Sequence, residues 1–137
     1  MSQSPSPYNG ETVALARAFL DAMEAREIDI ARSLLAADFT AIYPGRRSFK
    51  VLEDLVASGA ARYRKVRKTY ARTYYVPEDA EGIETVIFSG TLTGEWVDGK
   101  VFEDIRFTDQ FRIRNGLIVE QQVWNDMGEA LLARSGA

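Results

Sequence analysis

Residues 96–126, WVDGKVFEDIRFTDQFRIRNGLIVEQQVWND, decide the fold of this chain. They contain two runs rich in β-branched and aromatic residues, joined by Asn115-Gly116, a dipeptide that favours a tight hairpin turn. In the first run an apolar residue recurs at alternate positions, which is the period of a strand with one buried face. The apolar side of this alternation contains Val101, Ile105, Phe107, Phe111 and Ile113.

Asp109 interrupts this apolar side, and Glu103 shares its parity. An ionisable group among apolar neighbours is costly unless it is paired, hydrogen-bonded or neutral, so Asp109 suggests a ligand cavity with acid/base capacity. The alternative is a buried carboxylate that is hydrogen-bonded for cohesion alone. Glu103 lies close to the Asp98-Gly99 turn, where we expect it to be exposed.

Composition limits the possible chemistry. The 137 residues suit one domain, and the net charge of −3 does not favour a general nucleic-acid or membrane binder. The absence of cysteine and histidine excludes disulfides, thiolate and imidazole metal sites, and catalytic triads that need either residue. Carboxylates, tyrosine, lysine and amides remain as proton carriers. We therefore expect no cofactor and no metal.

The N-terminal residues are polar and contain proline. Residues 1–10 are predicted to form a flexible arm, and residues 11–137 a single domain. The arm lacks the basic region and apolar run of a signal peptide, and no later segment has transmembrane length, so a cytoplasmic protein is expected.

Three helices are predicted in the first half of the chain. Thr12 is expected to cap the first, whose apolar positions extend from Val13 to Met23 at helical spacing. A shorter helix has Ile30, Leu34 and Leu35 on one side, and a strand then ends at Pro44 and Gly45. The third helix is expected to start at Ser48, with one face formed by Leu52, Leu55, Val56, Gly59 and Tyr63.

The second half is predicted to be an antiparallel meander of four strands. The strand-like runs are residues 68–76, 84–96, 100–114 and 117–126, and the last two connections contain Asp98-Gly99 and Asn115-Gly116. A short helix is expected over residues 127–134. The fold class is therefore α+β, with three helices packed on a curved antiparallel sheet.

This element order, together with residues 14–45 and 98–126, resembles the nuclear-transport-factor-two-like superfamily, and within it the SnoaL-like polyketide cyclases and ketosteroid isomerases. The resemblance extends from about Val13 to about Leu131. It implies a cone-shaped, cystatin-like roll in which helices close a strongly bent sheet around a deep pocket. It also implies a homodimer that forms through the outer sheet face.

Site residues follow from the resemblance. Asp109-Gln110-Phe111-Arg112 resembles a strand motif whose aspartic acid, in ketosteroid isomerases, is kept protonated to donate a hydrogen bond to an oxyanion. Where they carry a tyrosine on the first helix this chain has Phe19, and in place of their catalytic base it has Tyr43. Tyr43 remains a possible hydrogen-bond donor. Its alternative role is that of a core aromatic residue, and Phe19 is expected in the core or pocket lining.

Further pocket residues are expected on three strands. Phe107 and Phe111 share the parity of Asp109, and Trp96 is placed to stack on a flat ligand or to join the core. Aligning the last hairpin with the family directs Gln121, Val123 and Asn125 inward. Asn125 then orients a ligand carbonyl, or ties the strand end to a neighbouring segment. Trp124, of opposite parity, suits the dimer interface.

The run ARYRKVRKTYAR, residues 61–72, has six basic side chains and no acid. It is the one candidate for an anion or nucleic-acid patch. Because its charges do not share one face, we expect a solvated surface, and neither a nucleic acid nor a membrane as partner.

The sequence favours a homodimeric pocket protein that performs cofactor-free acid/base chemistry, such as isomerisation, cyclisation or dehydration, on a small apolar carbonyl compound. Asp109 and Tyr43 are the expected catalytic residues. The alternative is a ligand carrier or accessory subunit without chemistry. An epoxide-hydrolase-like Asp-Arg-Asp set is disfavoured, because Arg106 and Arg112 have the opposite strand parity from Asp109.

Overall fold

The structure is a computed structural model that describes residues 9–134. Nearly all of the expected N-terminal arm, residues 1–10, therefore lies outside the described residues. The helices are α1 Gly10–Glu24, α2 Ile28–Ser33, α3 Leu52–Ala60 and α4 Met127–Arg134. The strands are β1 Leu35–Tyr43, β2 Arg47–Phe49, β3 Tyr63–Val76, β4 Glu84–Trp96, β5 Val101–Arg114 and β6 Leu117–Asn125, and a 3-10 turn, Pro44–Arg46, joins β1 to β2.

The described strands form one sheet in the order β2-β1-β6-β5-β4-β3. The predicted antiparallel meander is confirmed for β3 to β6. The sheet is not antiparallel throughout, because β1 pairs in parallel with β6. β1 and β6 are distant in sequence and no tight hairpin joins them, so nothing forces an antiparallel pairing. None of the helices within residues 9–134 is both long and apolar enough to cross a membrane.

The Asn115-Gly116 turn sets the register of β5. Both residues have positive φ, 51° and 74°, as a two-residue turn that matches the twist of the flanking strands requires. The register with β6 shifts by one residue between Ile113 and Arg112, and beyond this shift Asp109 pairs with Val123 on β6, while it pairs with Phe88 on β4 at its other side. This part of β5 therefore has a paired strand on each side, so the residues on its inner face do not lie at an open edge of the sheet.

A bulge changes the parity at the start of β5. Asp104 has φ of 58°, and the register between β4 and β5 shifts between the Leu92 and Gly94 pairs. Val101 is consequently 70% exposed, although the alternation predicted it on the apolar side, and Phe102 is buried in its place. An extra residue in one strand reverses the faces of the residues before it. Glu103 is exposed, as expected.

The helix starts differ from the predictions in two places. Asn9 caps α1 through Oδ1, which accepts from the backbone N–H groups of Glu11 and Thr12, so Thr12 is not the cap. Ser48 belongs to the short strand β2, and α3 begins at Leu52 after Val51 without a side-chain cap. The sequence does not reveal β2, because three residues are too few to show a strand period.

The second helix also differs from the prediction, since Ile30 is exposed and Ala31 is the buried residue of α2.

The main core lies between α1 and the inner sheet face. The ring of Phe19 on α1 contacts those of Phe39 on β1 and Phe111 on β5, with centroids 6.1 and 5.9 Å apart. Burying such aromatic side chains is a large favourable contribution to folding.

Glu84 anchors the start of α1 to the sheet. Its Oε2 atom accepts hydrogen bonds from Asn9 Nδ2 at 3.2 Å, from the Thr12 hydroxyl at 2.8 Å and from the Tyr75 hydroxyl at 2.6 Å. Glu84→Ala should lower the free energy of unfolding by about 1–3 kcal/mol, because partly buried donors lose their acceptor. Urea denaturation measures this, with the exposed Glu103→Ala as the control. Equal stability of the two variants would contradict the anchoring role.

Candidate active site

A cavity of about 920 Å³ lies between the helices and the inner face of the sheet. Its volume is within the range of small-molecule sites. Six of the nine residues expected at the site line its wall: Tyr43, Trp96, Phe107, Asp109, Val123 and Asn125. The long strands β5 and β6 bring four of these together, because inward residues of paired strands occupy the same face.

The other three expected residues do not line the cavity. Phe19 and Phe111 are completely buried and pack against each other in the core. Gln121 is 1% exposed and pairs with Phe111 across the β5–β6 ladder. The strand alternation gave the inward direction of Phe111 and Gln121 correctly, but Phe19 of α1 packs on this part of the sheet, so that Phe111 lies in the core.

Asp109 is 1% exposed. Among residues 9–134, none donates a hydrogen bond to either of its carboxylate oxygens. The cation closest to it is the Lys68 ammonium on β3, whose Nζ lies 3.4 Å from Asp109 Oδ2. This is an ion-pair distance without hydrogen-bond geometry, so the pairing of the carboxylate is incomplete.

Lys68 is a site residue that the sequence analysis missed. The basic run of residues 61–72 was expected on a solvated surface, but the Lys68 side chain is only 23% exposed and lines the cavity. Its Nζ also lies 5.4 Å from the centroid of the Phe107 ring. A signal was present in the sequence, because Lys68 has the same strand parity as Val66 and Tyr70, which places it on the inward side of β3.

The surroundings of Asp109 favour its neutral form. Burial raises the pKa of the Asp109 carboxyl above its ordinary value of 3.8, and the Lys68 ammonium lowers this pKa by less. The free-energy cost of removing the charged carboxylate from water exceeds the stabilisation that one ion pair of imperfect geometry provides. Asp109 is therefore a carboxyl whose pKa lies closer to neutrality than that of an exposed aspartate.

Tyr43 lies at the end of β1 on the same wall. Burial raises the pKa of Tyr43 above its ordinary value, and the Asp109 carboxylate raises it further, so the phenol stays neutral. A hydrogen bond from the Gln121 side chain acts in the opposite direction. The neutral phenol carries a hydrogen that it can donate to a ligand.

Asn125 and Trp96 have neighbours of their own. Asn125 Oδ1 accepts from the backbone N–H of Met127 at 3.1 Å, so the amide ties the end of β6 to α4 while it lines the cavity. Trp96 is buried against Phe102, with ring centroids 4.9 Å apart, and the Arg134 guanidinium lies 5.5 Å from its ring. Both residues thus combine structural contacts with a place at the wall.

The arginines on β5 are outside the cavity. Arg106 pairs with Asp126 at 2.6 Å, and Arg112 lies 3.9 Å from Glu81. Their placement agrees with the parity argument against an Asp-Arg-Asp set around Asp109. Within the described part of the chain, no group of three or more acidic residues is arranged to hold a metal ion.

Arg47 on β2 is a second site residue without a counterpart in the sequence analysis. Its Nε donates to the Pro44 carbonyl at 3.2 Å and its Nη1 to the Ser58 hydroxyl at 2.9 Å. Burial lowers the pKa of Arg47, and the Arg62 guanidinium lowers it further. No local pattern identified it, because its position depends on β2, which was not predicted.

The comparisons with known proteins agree with this architecture. The SnoaL-like domain family matches residues 16–121, so the chain belongs to the SnoaL-like domain family, as its resemblance indicated. No curated protein matches the chain in sequence.

Solved structures of low sequence identity share the fold. An NTF2-like protein of unknown function from Burkholderia pseudomallei has a TM-score of 0.76 at 16% identity, covering 90% of this chain and 96% of its own. A putative SnoaL-like polyketide cyclase from Jannaschia sp. has a TM-score of 0.75 at 14% identity, with 95% of each chain covered. TerC, co-crystallised with polyporic acid, has a TM-score of 0.72 at 14% identity, covering 88% of this chain and 95% of its own.

The raised pKa of Asp109 predicts a pH-dependent stability. Above the ordinary value of 3.8 the unfolded chain releases the Asp109 proton while the folded chain retains it, so stability declines until pH passes the folded pKa. Asp109→Asn should remove this decline. The variant should therefore gain stability relative to the wild type as pH rises from about 4 to about 8.

Urea denaturation across this range tests the prediction. Glu103→Gln, an exposed substitution on the same strand, is the control and should follow the wild-type curve. If the Asp109→Asn variant lost stability relative to the wild type as pH rose, the carboxylate would be stabilised by its surroundings, and the argument from burial would be wrong.

Proposed function

We propose that this protein binds a small apolar carbonyl compound in the cavity and catalyses a cofactor-free proton transfer, of the isomerase, cyclase or dehydratase type. One observation carries the proposal: a carboxyl that is 1% exposed, without a hydrogen bond from the described residues, stands at the wall of a cavity of about 920 Å³. A raised pKa suits such a group to acid/base work, because it brings the group closer to the working pH.

In this proposal Asp109 transfers the proton and Lys68 controls access to it. Both Asp109 oxygens are buried, and the Lys68 ammonium lies beside Oδ2 at the cavity wall. A shift of the Lys68 side chain exposes the carboxyl to a bound ligand. The ionised carboxylate then takes a proton from the carbon next to the ligand carbonyl and, once neutral, returns it to another atom of the ligand.

The charge that develops on the ligand oxygen needs a donor. Tyr43 suits this role, because its neutral hydroxyl retains a hydrogen to donate and lies on the same wall as Asp109. The Lys68 ammonium adds positive charge, and Asn125 offers its amide N–H groups. Donors fixed in advance around a developing oxyanion are a large source of catalysis.

The relatives support a ligand-binding role. TerC was co-crystallised with polyporic acid, and the Jannaschia protein is described as a putative polyketide cyclase. Sequence identities of 14% support a shared fold but do not indicate a shared reaction. The chemistry proposed for this chain therefore rests on its own residues.

A carrier without chemistry is the second candidate. The observation that favours it is the burial of both Asp109 oxygens, which leaves them almost no exposed surface for a ligand to contact although the residue lines the cavity. In a carrier, Asp109 would serve only to neutralise Lys68. The two candidates differ in whether a bound ketone exchanges protons.

We also propose that the protein forms a homodimer through the outer sheet face. Trp124 on β6 is 50% exposed and Tyr74 on β3 is 47% exposed. Both point away from the cavity, because they alternate with the inward residues Val123 and Tyr75. Exposed aromatic side chains are characteristic of protein interfaces.

Proton exchange from 2-tetralone in deuterium oxide, followed by NMR, distinguishes the candidates. This ketone is apolar and has acidic protons next to its carbonyl. The wild-type protein should accelerate their exchange above the buffer rate, and Asp109→Asn should reduce the acceleration by about 100-fold or more, the usual contribution of a positioned acid/base group.

Glu103→Gln is the matched control, since it replaces an exposed carboxyl on the same strand by its isosteric amide. Undiminished exchange in the Asp109→Asn variant would disprove the acid/base role. Binding of the ketone without faster exchange by the wild type would identify a carrier.

Carbon-13 NMR of the Asp109 carboxyl tests the role of Lys68 directly. Since the Lys68 ammonium lowers the pKa of Asp109, Lys68→Met should raise that pKa further. Lys65→Met is the control, because Lys65 is 73% exposed and pairs with Glu95. A pKa that stayed the same or fell in the Lys68→Met variant would show that the two groups do not interact in solution.

A further inference from the structure

The cavity wall has an excess of positive charge. Seven basic and three acidic residues line it, whereas the whole chain has 17 basic and 20 acidic residues. Three of the basic residues pair with carboxylates: Lys65, Lys68 and Arg134. The other four, Arg26, Arg47, Arg62 and Arg64, have no carboxylate within ion-pair distance in the described part of the chain.

Of these four arginines, Arg47 is the best positioned to bind an anion. Its two hydrogen bonds, to the Pro44 carbonyl and the Ser58 hydroxyl, fix the guanidinium between the end of β1 and α3. Both acceptors are uncharged, so the positive charge is held in place but not neutralised. A guanidinium has five N–H donors in a planar fork that matches a carboxylate, and the two bonds leave donors unused.

Arg62 adds a second positive charge near Arg47. A like charge near Arg47 lowers its pKa and adds to the cost of its partial burial. Because arginine stays charged in proteins, this cost is not relieved by loss of a proton. An anion bound at Arg47 relieves this electrostatic cost, and charge-assisted hydrogen bonds between a guanidinium and an anion are among the stronger hydrogen bonds in proteins.

The anion position and the acid/base position belong to one cavity. Tyr43 pairs with Arg47 across the β1–β2 ladder, and both residues line the cavity together with Asp109. A ligand that contacts Tyr43 is therefore close to both groups. The wall also contains apolar side chains, among them Leu55, Leu92 and Phe107.

We propose that the ligand of this cavity is an organic acid whose carboxylate binds Arg47, with Arg62 in support, and whose apolar body and carbonyl extend toward Tyr43 and the Lys68–Asp109 pair. This inference rests on the proposed function and narrows its substrate class from apolar carbonyl compounds to anionic ones. The positive wall selects the ligand, and Arg47 fixes which end of it enters the acid/base position.

A matched pair of probes tests the inference. 2-Naphthoate and 2-naphthamide have the same aromatic body and nearly the same shape, and differ in the charge of one group. Titrations followed in the amide NMR spectrum report binding at the site through Gly45 and Gly59, which line the cavity near Arg47. The wild type should bind the carboxylate about tenfold or more tightly than the amide, as a charge-assisted bidentate contact predicts.

Arg47→Gln should abolish this preference while leaving naphthamide binding within about twofold. Arg72→Gln is the matched control, because it removes the same charge from an exposed position on β3 outside the cavity and should retain the preference. Circular dichroism and melting temperature verify that both variants are folded.

Equal binding of the two probes by the wild type, or a preference that survives Arg47→Gln, would overturn the anion site. In that case the amide still reports a working pocket, and the proton-exchange experiment with 2-tetralone remains valid. Failure of both probes to bind saturably at Gly45 and Gly59 would instead count against the small-molecule site, and thus against the anion site and the proposed function together.

Discussion

The pairing of β5 on both sides is the constraint on which the site depends. Because β4 and β6 both pair with β5 from Phe107 to Ile113, each inner position in this part of β5 faces the interior as the period of the strand requires. Phe107, Phe111 and Ile113 bury large apolar side chains in this way, and the same register carries Asp109 inward with them. The carboxyl is buried because its neighbours stabilise the register. The cost of its burial is thus offset by the packing of the whole strand.

This constraint also explains the composition of the wall. A buried carboxyl shifts toward its neutral form unless a cation is near, and Lys68 comes from β3, two strands away in the sheet. Tyr43 arrives from the opposite side, on β1 beyond β6. The three polar groups thus belong to distant segments of the chain, and only the sheet order unites them. Their mutual effects on pKa are a consequence of topology.

The sequence predicted the elements with strong periodicity and missed those without it. The meander, its Asn115-Gly116 turn and the inward direction of Asp109 follow from local patterns. The bulge at Asp104 and the short strand β2 leave no such pattern, so the faces of Val101 and Phe102 were exchanged and Arg47 was overlooked. Lys68 was missed for a different reason. Its charge was interpreted from composition, although the strand parity that it shares with Val66 and Tyr70 indicates an inward position.

The packed core and the charged cavity lie on different parts of the inner sheet face. α1 and the aromatic residues around Phe19 pack on one part of the inner sheet face, where Phe111 belongs to the core and Gln121 is buried. At the other end α3 and α4 leave space, and there the wall is lined by arginines and lysines in addition to apolar residues. A packed end supplies the stability that an unfilled, charged end lacks. Substitutions of the exposed arginines on this wall, Arg26, Arg62 and Arg64, are therefore expected to leave the core packing intact, whereas buried wall residues such as Trp96 and Phe107 belong to the core.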